Sequence, residues 1–398
     1  MLKRYWTKFR FWVILLLIVS FSAQIGTMGF TAYHFSRIPL VGVLLNLVAI
    51  PVAGLIVSGT IVGLSISLFF PELGRLIGDG VGMLVSVLEK TVHYGNQIPG
   101  ASIQTPNWDI LFSVFFYLGV FSVIFWKNKI MRNLFVFGVF AICLHGIWTP
   151  VFTSEKLNLT FLDVGVGDAS VVCYPSGDVV VIDCGKITRH YDDGEKILLP
   201  FFEKYGLDKI QILVLTSPNK VNYGGAISLL ATLPVGEIWV LFEDMDKPDF
   251  LHLKEIAIEK EISIFFKQKG DYDAEHGLFV LQTGSAIWEN SSVLRLQFGT
   301  KSVLFCNNYD TFVIPEEFNN HLAADIFKVP NHGEDSIFVK ILPMVKPQIS
   351  VISMYQKVDS GLIRKLENYG DVFLTGETGA VMFETDGKTF RRIDWRKF

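Results

Sequence analysis

Long apolar runs fill the first part of the chain, and short alternating runs fill the rest. Between Phe11 and Phe152 charged residues are scarce. The run Phe11–Phe30 has the length of about 20 residues that a helix needs to cross a bilayer. From Leu157 onward the apolar runs shorten to strand length and are separated by polar turns. The pattern predicts a transmembrane part, residues 1–152, followed by a soluble part, residues 153–398.

The first part resembles a polytopic helical bundle. Its apolar pattern predicts about five spans, at residues 11–31, 39–69, 76–93, 110–126 and 133–149. The second is longer than one straight crossing, and Pro51, Gly54 and Gly59 predict a kink or a break within it. The third is amphipathic, so it is either a span or a helix on the membrane surface. In the latter case the number of crossings changes.

Basic residues set the predicted orientation. They precede the first span and recur at Lys127–Arg132, and the positive-inside rule places both groups in the cytoplasm. Five crossings then put the soluble part outside the cytoplasm. Two amides, Gln24 and Asn46, lie within the spans. Such groups either line a pathway or form hydrogen bonds between helices, and the second role is the commoner one.

The second part follows an order of β-rich meander, helices, second meander and helices. The segments "DASVVCYP" and "VVVIDCG" predict a hairpin that turns at residues 176–178. The segment "KILLPFFEKYGL" predicts a short helix that ends at Gly206. This order predicts an α+β four-layer αββα sandwich, in which helices cover two packed sheets.

Charge and cysteine content exclude some functions. The formal net charge of -4 argues against a strongly basic nucleic-acid surface over the whole chain, although a local basic groove remains open. The four cysteines, none in a CxxC pair, do not form a zinc knuckle or a thioredoxin-type motif.

The segment "VLTSPNKVNYGGAISLL", residues 214–230, reads as a buried strand, a polar loop and a Gly-Gly opening to a helix. Loops of this kind often hold a metal in hydrolases. Here the loop offers Ser217, Asn219, Lys220 and Asn222, and it contains no histidine or carboxylate. The residues alone leave two alternatives open: a catalytic loop that lacks its ligands, or a loop that was never catalytic.

Several motifs resemble the metallo-β-lactamase-like domain of ComEC-family DNA-internalisation competence proteins. The segment "LTFLDVGVGDASVVCYPSGDVVVIDCG" is similar to its opening, with Val166 in place of the usual glutamine, and "ADIFKVPNHGEDS" is similar to its second ligand segment. The stretch "SFSAQIGTMGFTAYHFSRIPLVGVLLNLVAIPVAGLIVSG" resembles the later helices of the family's channel domain. The chain is therefore similar to the C-terminal part of the family, without its OB-like domain and earlier helices.

The resemblance implies a zinc or manganese site, yet the ligands are largely absent. The positions that match the family's metal site are Ser217, Asn219, Val221, Asn222, Asn308, Asn331 and His332, with Asp183 nearby. One imidazole cannot retain the ion that a hydrolase uses to activate water. We therefore expect no metal cofactor, and a pseudoenzyme. On this view His332 bonds to backbone, and Asp163, Asp168 and Asp183 form turns.

The family's role implies a multi-pass protein of the bacterial plasma (inner) membrane that translocates single-stranded DNA during natural transformation. A guiding groove needs cations and aromatic rings. The candidate contacts, which are open to the alternative of scattered surface charge, are Lys186, Arg189, His190, Tyr191, Lys220 and Tyr223.

Two other functions stay open. One is a membrane-tethered metal-dependent nuclease or hydrolase with an unusual ligand set. The other is a non-transporting accessory, or a remnant of a split ComEC protein. A separate chain could supply the OB-like domain and earlier helices. The chain could also form a homo-oligomer.

Overall fold

A computed structural model of the chain describes residues 2–98, 100–105, 108, 110–148, 156–243, 248–284, 292–307, 320–333, 337–353 and 358–393. They fall into two compact units, Met1–Trp148 and Thr149–Phe398. The first is helical and the second is built on two large sheets.

The helical unit contains a small antiparallel pair of strands between long helices. Its elements are α1 (Leu2–Phe35), β1 (Arg37–Pro39), α2 (Gly42–Ser67), α3 (Pro71–Asn96), β2 (Ser102–Gln104), α4 (Ile110–Ile124) and α5 (Lys129–Trp148). Among the described residues, two helical stretches are long and apolar enough to cross a membrane, Arg10–Phe35 and Gly42–Ser67. Helix α4 is apolar but shorter. The number of crossings beyond these two stays a prediction.

Helix α2 corrects the predicted break in the second span. The helix continues through Pro51, and Gly59 and Gly63 serve helix packing instead. A Cβ on Gly59 would lie 2.8 Å from Val81 Cγ2 of α3, and one on Gly63 would lie 3.1 Å from Ile77 Cγ2. The two glycines lie where α2 and α3 approach closely, as small residues allow in helix pairs, so a larger residue at either position would have to displace the facing side chain.

The side-chain amide of Gln24 has a hydrogen-bond partner inside the helical unit. Its Nε2 donates to the carbonyl oxygen of Pro39 at 3.0 Å, which ties α1 to strand β1. The partner belongs to a strand, so this contact is not the hydrogen bond between helices that the sequence predicts for Gln24. Asn46 lies half-buried on α2.

The second unit contains the remaining strands and helices. Its strands are β3 (Leu157–Phe161), β4 (Ala169–Cys173), β5 (Val179–Cys184), β6 (Ile210–Leu215), β7 (Val235–Val240), β8 (Ser263–Phe266), β9 (Tyr272–Asp273), β10 (Leu278–Gln282), β11 (Val293–Phe298), β12 (Lys301–Cys306), β13 (Ile326–Lys328), β14 (Ile349–Ile352), β15 (Asp371–Leu374), β16 (Val381–Thr385) and β17 (Phe390–Ile393). Its helices are α6 (Leu199–Tyr205), α7 (Lys220–Tyr223), α8 (Ala226–Thr232), α9 (Pro248–Glu259), α10 (Leu342–Val345), α11 (Ser360–Glu367) and α12 (Thr375–Thr378).

The two sheets are mixed. One has the strand order β17-β16-β3-β4-β5-β6-β7-β8, and the other has the order β15-β14-β13-β12-β11-β10-β9. Strands β5 to β8 pair in parallel, as do β12 to β15, while the flanking strands pair antiparallel. Parallel strands need crossover connections, which the helices between them supply.

Three apolar cores define the layers. One core lies between the sheets and includes Leu159, Ile182 and Val303. A second packs the first sheet against helices α6, α8 and α9, and a third packs the other sheet against α10 and α11. Strand β5 is buried along its whole length because it has a core on each face. The predicted α+β class is confirmed, and the cores are arranged as helices, sheet, sheet and helices.

Candidate functional site

The candidate site lies where parallel strands of both sheets end. Asp183 is at the end of β5, Thr216 follows β6, and Asn307 follows β12. Lys328 ends β13, and a short turn at Pro330–Gly333 follows it. The carboxyl ends of β5 and β6 share one edge because these strands are parallel. Ligand sites in sheets of this kind form at such edges.

A β-bulge places the side chain of Asp183. Ala169 pairs with Cys184, but the next residue, Ser170, pairs with Ile182, so Asp183 is the extra residue. Its φ of 56° lies in the left-handed region, which Asp tolerates better than most residues. Bulges re-aim side chains near functional sites. Here the bulge directs the carboxylate to the loop after β6.

Asp183 is fully enclosed by hydrogen-bond donors. Its Oδ1 accepts from the backbone N–H of Thr216 at 2.9 Å, and its Oδ2 accepts from the Thr216 hydroxyl. The amide of Asn307 donates to Oδ2 at 3.2 Å, which joins the two sheets across the site. Burial raises the pKa of Asp183 to about 7, although the bonds from Thr216 work to lower it. The carboxyl group therefore titrates near neutral pH.

A buried ion pair lies beside this carboxyl group. Lys328 Nζ contacts Asp168 Oδ1, and the two side chains are only 3% and 7% exposed. Burial works to raise the pKa of Asp168, but the charges of Lys328 and His332 prevail, so that pKa lies below its ordinary value. The ammonium charge of Lys328 therefore balances the carboxylate charge of Asp168 inside the protein.

His332 is fixed by backbone, as the sequence predicted. Its Nδ1 lies 2.9 Å from the carbonyl oxygen of Ser353 and 3.8 Å from Asp168 Oδ1. Asp163 also forms the predicted turn, since its Oδ1 accepts from the backbone N–H of Gly165 at 3.2 Å. Asp168 and Asp183 do not act as simple turn residues, because their partners come from other strands.

Little space remains at the centre. A cavity of about 10 Å³ lies among Asp168, Asp183, Thr216, Asn307 and Lys328. A volume of roughly 10–15 Å³ accommodates about one water molecule. The ammonium group of Lys328 thus occupies the polar centre of the site.

The positions that match the family's metal ligands carry neutral side chains with local roles. Ser217 is buried, and its hydroxyl accepts from the N–H of Asn219 at 3.2 Å. Asn219 caps helix α7 by accepting from the N–H of Val221 at 3.3 Å. Asn222 is buried, and Asn331 has a φ of 49° in the turn after β13. Asn308 lies outside the described residues. This set does not fit a hydrolytic zinc or manganese ion, which needs several imidazole or carboxylate ligands.

Glycines hold the loops of the site against the strands. A Cβ on Gly225 would lie 2.3 Å from the carbonyl oxygen of Cys184 and 2.6 Å from the N of Gly194. A Cβ on Gly167 would lie 2.2 Å from the carbonyl oxygen of Val221. Backbones that pass this close exclude any side chain. The scaffold of the loop therefore depends on these glycines even though the ligands are absent.

The residues proposed to contact DNA divide into two groups. Arg189, His190 and Tyr191 are exposed on the loop after β5. Lys186 is half-buried, and its Nζ donates to the carbonyl oxygen of Val164 at 2.7 Å beneath the Tyr191 ring. This loop meets the one after β6, because the N–H of Gly225 donates to the carbonyl oxygen of Gly185 at 3.2 Å.

Tyr223 corrects the predicted contact set. Its side chain is 1% exposed and packs edge-on against Phe250, so it belongs to the core and cannot reach a strand of DNA. Lys220 is half-buried on the same short helix, α7. An open cleft of about 430 Å³ lies beside Lys186 and Tyr191.

Sequence reasoning missed two residues of the site, Lys328 and Asn307. Lys328 carried a signal, because it is the charged residue of the otherwise apolar segment "IFKVP" and buried charges need partners. Asn307 had no such signal, since it adjoins Asn308 at the end of a strand. Its role depends on the contact between sheets.

Comparison with known proteins identifies the relatives of the chain. A family model described as "Competence protein" matches residues 1–130. ComE operon protein 3 of Bacillus subtilis is 24% identical over 368 residues, which cover 85% of this chain and 47% of the relative. Recombination protein 2 of Haemophilus influenzae is 22% identical over 251 residues, which cover 57% of this chain and 32% of the relative. The chain is therefore similar to competence proteins of the ComEC family.

The family model matches only the first part of the chain, whereas the match to ComE operon protein 3 covers 85% of the chain. The chain spans about half the length or less of these two relatives. Among solved structures, the metallo-β-lactamase-fold protein YhfI of Bacillus subtilis aligns with 57% of this chain and all of its own length, at 11% identity and a TM-score of 0.41. The architecture of the second unit follows from its own two mixed sheets.

Proposed function

We propose that the protein is a membrane component of DNA uptake in competence, and that its soluble unit acts without metal-dependent hydrolysis. The competence relatives support the first part of the proposal. The second part rests on one observation, the buried ion pair between Lys328 and Asp168 at the centre of the candidate site.

The ammonium group of Lys328 at the centre of the site argues against metal-dependent hydrolysis. A metal hydrolase uses its cation to generate hydroxide and to stabilise the charge that develops on a phosphodiester. Here the fixed cation is an ammonium group that is paired with a carboxylate and 3% exposed. It cannot lower the pKa of a bound water as a metal ion does, and the cavity beside it has a volume of only about 10 Å³.

The proposed route of DNA passes over the loop after β5. Arg189 and His190 would meet phosphates, and the exposed ring of Tyr191 would stack on a base. The loop flanks the open cleft at Lys186, which has a volume of about 430 Å³ and would lie beside the strand. Single-stranded DNA is the substrate that such a combination of cations and an aromatic ring suits.

The proposed location is the bacterial plasma membrane. The two membrane-capable helices and the basic N-terminal residues support an anchored chain, and a multi-pass bundle with the soluble unit outside the cytoplasm is the arrangement we propose. A second chain that completes the channel, or a homo-oligomer, would act within the same membrane.

A deletion strain tests the uptake role. We expect the strain without this protein to internalise labelled DNA at least roughly tenfold less than its parent, and to recover when the gene is returned. Uptake equal to that of the parent would reject the role. A strain restored with His332→Gln should match wild type within about twofold, because the glutamine amide can still donate to a backbone carbonyl. Loss of uptake on that change alone would favour the metal-dependent nuclease.

The surface loop has its own test. We expect the Arg189→Glu/Tyr191→Ala variant to reduce uptake by roughly tenfold or more, because one stacked base alone is worth about 1–3 kcal/mol and the charge reversal also repels a phosphate. Arg391→Glu is the matched control, since it reverses an exposed charge on strand β17. Equal uptake by both variants would show that the loop does not contact the strand.

A further inference from the structure

A second polar cluster lies at the end of the soluble unit away from the candidate site. Asp178 is in the turn between β4 and β5, and Glu275 and His276 are in the turn before β10. One ligand atom from each of the three residues lies within 4.8 Å of the other two. The two turns belong to different sheets, so the cluster spans the sandwich.

The imidazole of His276 is buried and directed into this cluster. The residue is only 5% exposed, and its Nε2 has no hydrogen-bond partner among the described residues. The nearest carboxylate oxygen, Asp178 Oδ2, is 3.8 Å away, which is beyond hydrogen-bond distance. A buried polar atom without a partner is costly, and such an atom needs an explanation. A cation between the two groups would satisfy both.

The other nitrogen of His276 is held as metal-binding histidines usually are. Its Nδ1 lies 2.7 Å from Asp273 Oδ2. Asp273 is fixed in turn, because its Oδ1 accepts from the N–H of Glu275 at 3.0 Å. A carboxylate on one ring nitrogen orients the ring and leaves the lone pair of the other nitrogen available to a metal. The ring is also packed edge-on against Tyr174, whose hydroxyl donates to the carbonyl oxygen of His276 at 2.7 Å.

We propose that Asp178, Glu275 and His276 form a binding site for Zn²⁺. One imidazole nitrogen and two carboxylate oxygens are ligands that zinc takes, with bonds of about 2.0–2.2 Å and a fourth position open to water. Closing the cluster onto one ion requires the carboxylates to rotate inward by about an ångström. Glu275 is exposed and is free to rotate, while the buried His276 stays in place.

Two neighbours of Asp178 affect this site. Ser176 Oγ donates to Asp178 Oδ2 at 2.7 Å, which orients the carboxylate. Lys209 Nζ lies 3.7 Å from Asp178 Oδ1, but its side chain is 51% exposed and can move into water when the ion binds. The bound ion would join the two sheets at the edge opposite Asp183. This role is structural and does not depend on DNA uptake.

Zinc binding to the purified full-length protein tests the proposal. We expect tag-free protein in detergent to bind one equivalent of added zinc, with an X-ray absorption spectrum of one imidazole and otherwise oxygen ligands. Glu275→Gln should lower the zinc affinity at least roughly tenfold, and Asp273→Asn should lower it by about 10–100-fold through the orienting carboxylate. The melting temperature should rise with zinc in wild type and not in Glu275→Gln.

The control is His252→Gln, which removes an exposed histidine 3.4 Å from Glu255 and should leave zinc binding unchanged. Glu275 is exposed, so its variant folds whether or not the site exists. Absence of zinc binding, or equal affinity in wild type and Glu275→Gln, would overturn the proposal.

Discussion

Lys328→Met should lower the free energy of unfolding by about 3–5 kcal/mol, because it leaves the buried carboxylate of Asp168 without its counter-ion. Methionine fills a similar volume, so lost packing contributes little. Hydrogen exchange of backbone amides in β4 and β13 of the purified protein would measure the loss within the soluble unit. A loss below about 1 kcal/mol would show that the pair is solvated rather than buried.

The double variant separates the ion pair from other effects. Asp168→Asn alone should also destabilise the unit, because it leaves the ammonium group of Lys328 buried and unpaired. Combining Lys328→Met with Asp168→Asn should restore much of the stability, since neither buried charge then remains. Additive losses in the double variant would contradict a direct pair.

The unfolding free energy of wild-type protein should fall as pH rises from about 4 to about 7. The pKa of Asp183 is raised to about 7, so the folded state keeps a proton that the unfolded chain, with an ordinary carboxyl pKa near 4, has lost. The folded state binds more protons in this window, and its stability declines until the pH passes about 7. The decline should be on the order of a few kcal/mol.

Asp183→Asn should remove most of this pH dependence. Asparagine is neutral at every pH, tolerates the left-handed backbone of this position, and presents an amide that can bond to the Thr216 hydroxyl. The variant should therefore gain stability relative to wild type as pH rises to 8. Asp163→Asn, in a turn near the same edge, should retain the wild-type dependence of stability on pH.

Asp168 affects stability in a different pH range. Its pKa is lowered in the folded state, so the stability that its carboxylate contributes is lost only as pH falls below about 4.

Local patterns in the sequence predicted much of the fold. Short apolar runs separated by polar turns identified the strands, and the predicted turn at residues 176–178 forms, with Tyr174 N–H bonded to the carbonyl oxygen of Asp178. Gly206 ends α6 with a φ of 65°, as its position predicted. The break predicted at Pro51 does not occur, because helix α2 continues through this residue. A helix can continue through a proline when the carbonyl group that loses its hydrogen bond finds another partner.

The polar centre depends on contacts that no local pattern encodes. His332 bonds to backbone as expected, since a lone histidine in a loop meets nearby carbonyls. The pairing of Asp168 with Lys328 instead requires the two sheets to pack in one particular alignment. Tyr223 was assigned to the surface because it adjoins Lys220, but the one-turn helix α7 directs it into the core against Phe250.

Metal content of the Glu275→Gln/His276→Gln variant tests the account of the candidate site most directly. This background removes the proposed zinc site, so any remaining zinc or manganese must lie elsewhere. We predict that the purified variant, after incubation with either ion, contains neither in stoichiometric amount. Near-unit occupancy that disappears on a further His332→Gln change would contradict the account, because it would place a metal ion beside the Lys328–Asp168 pair.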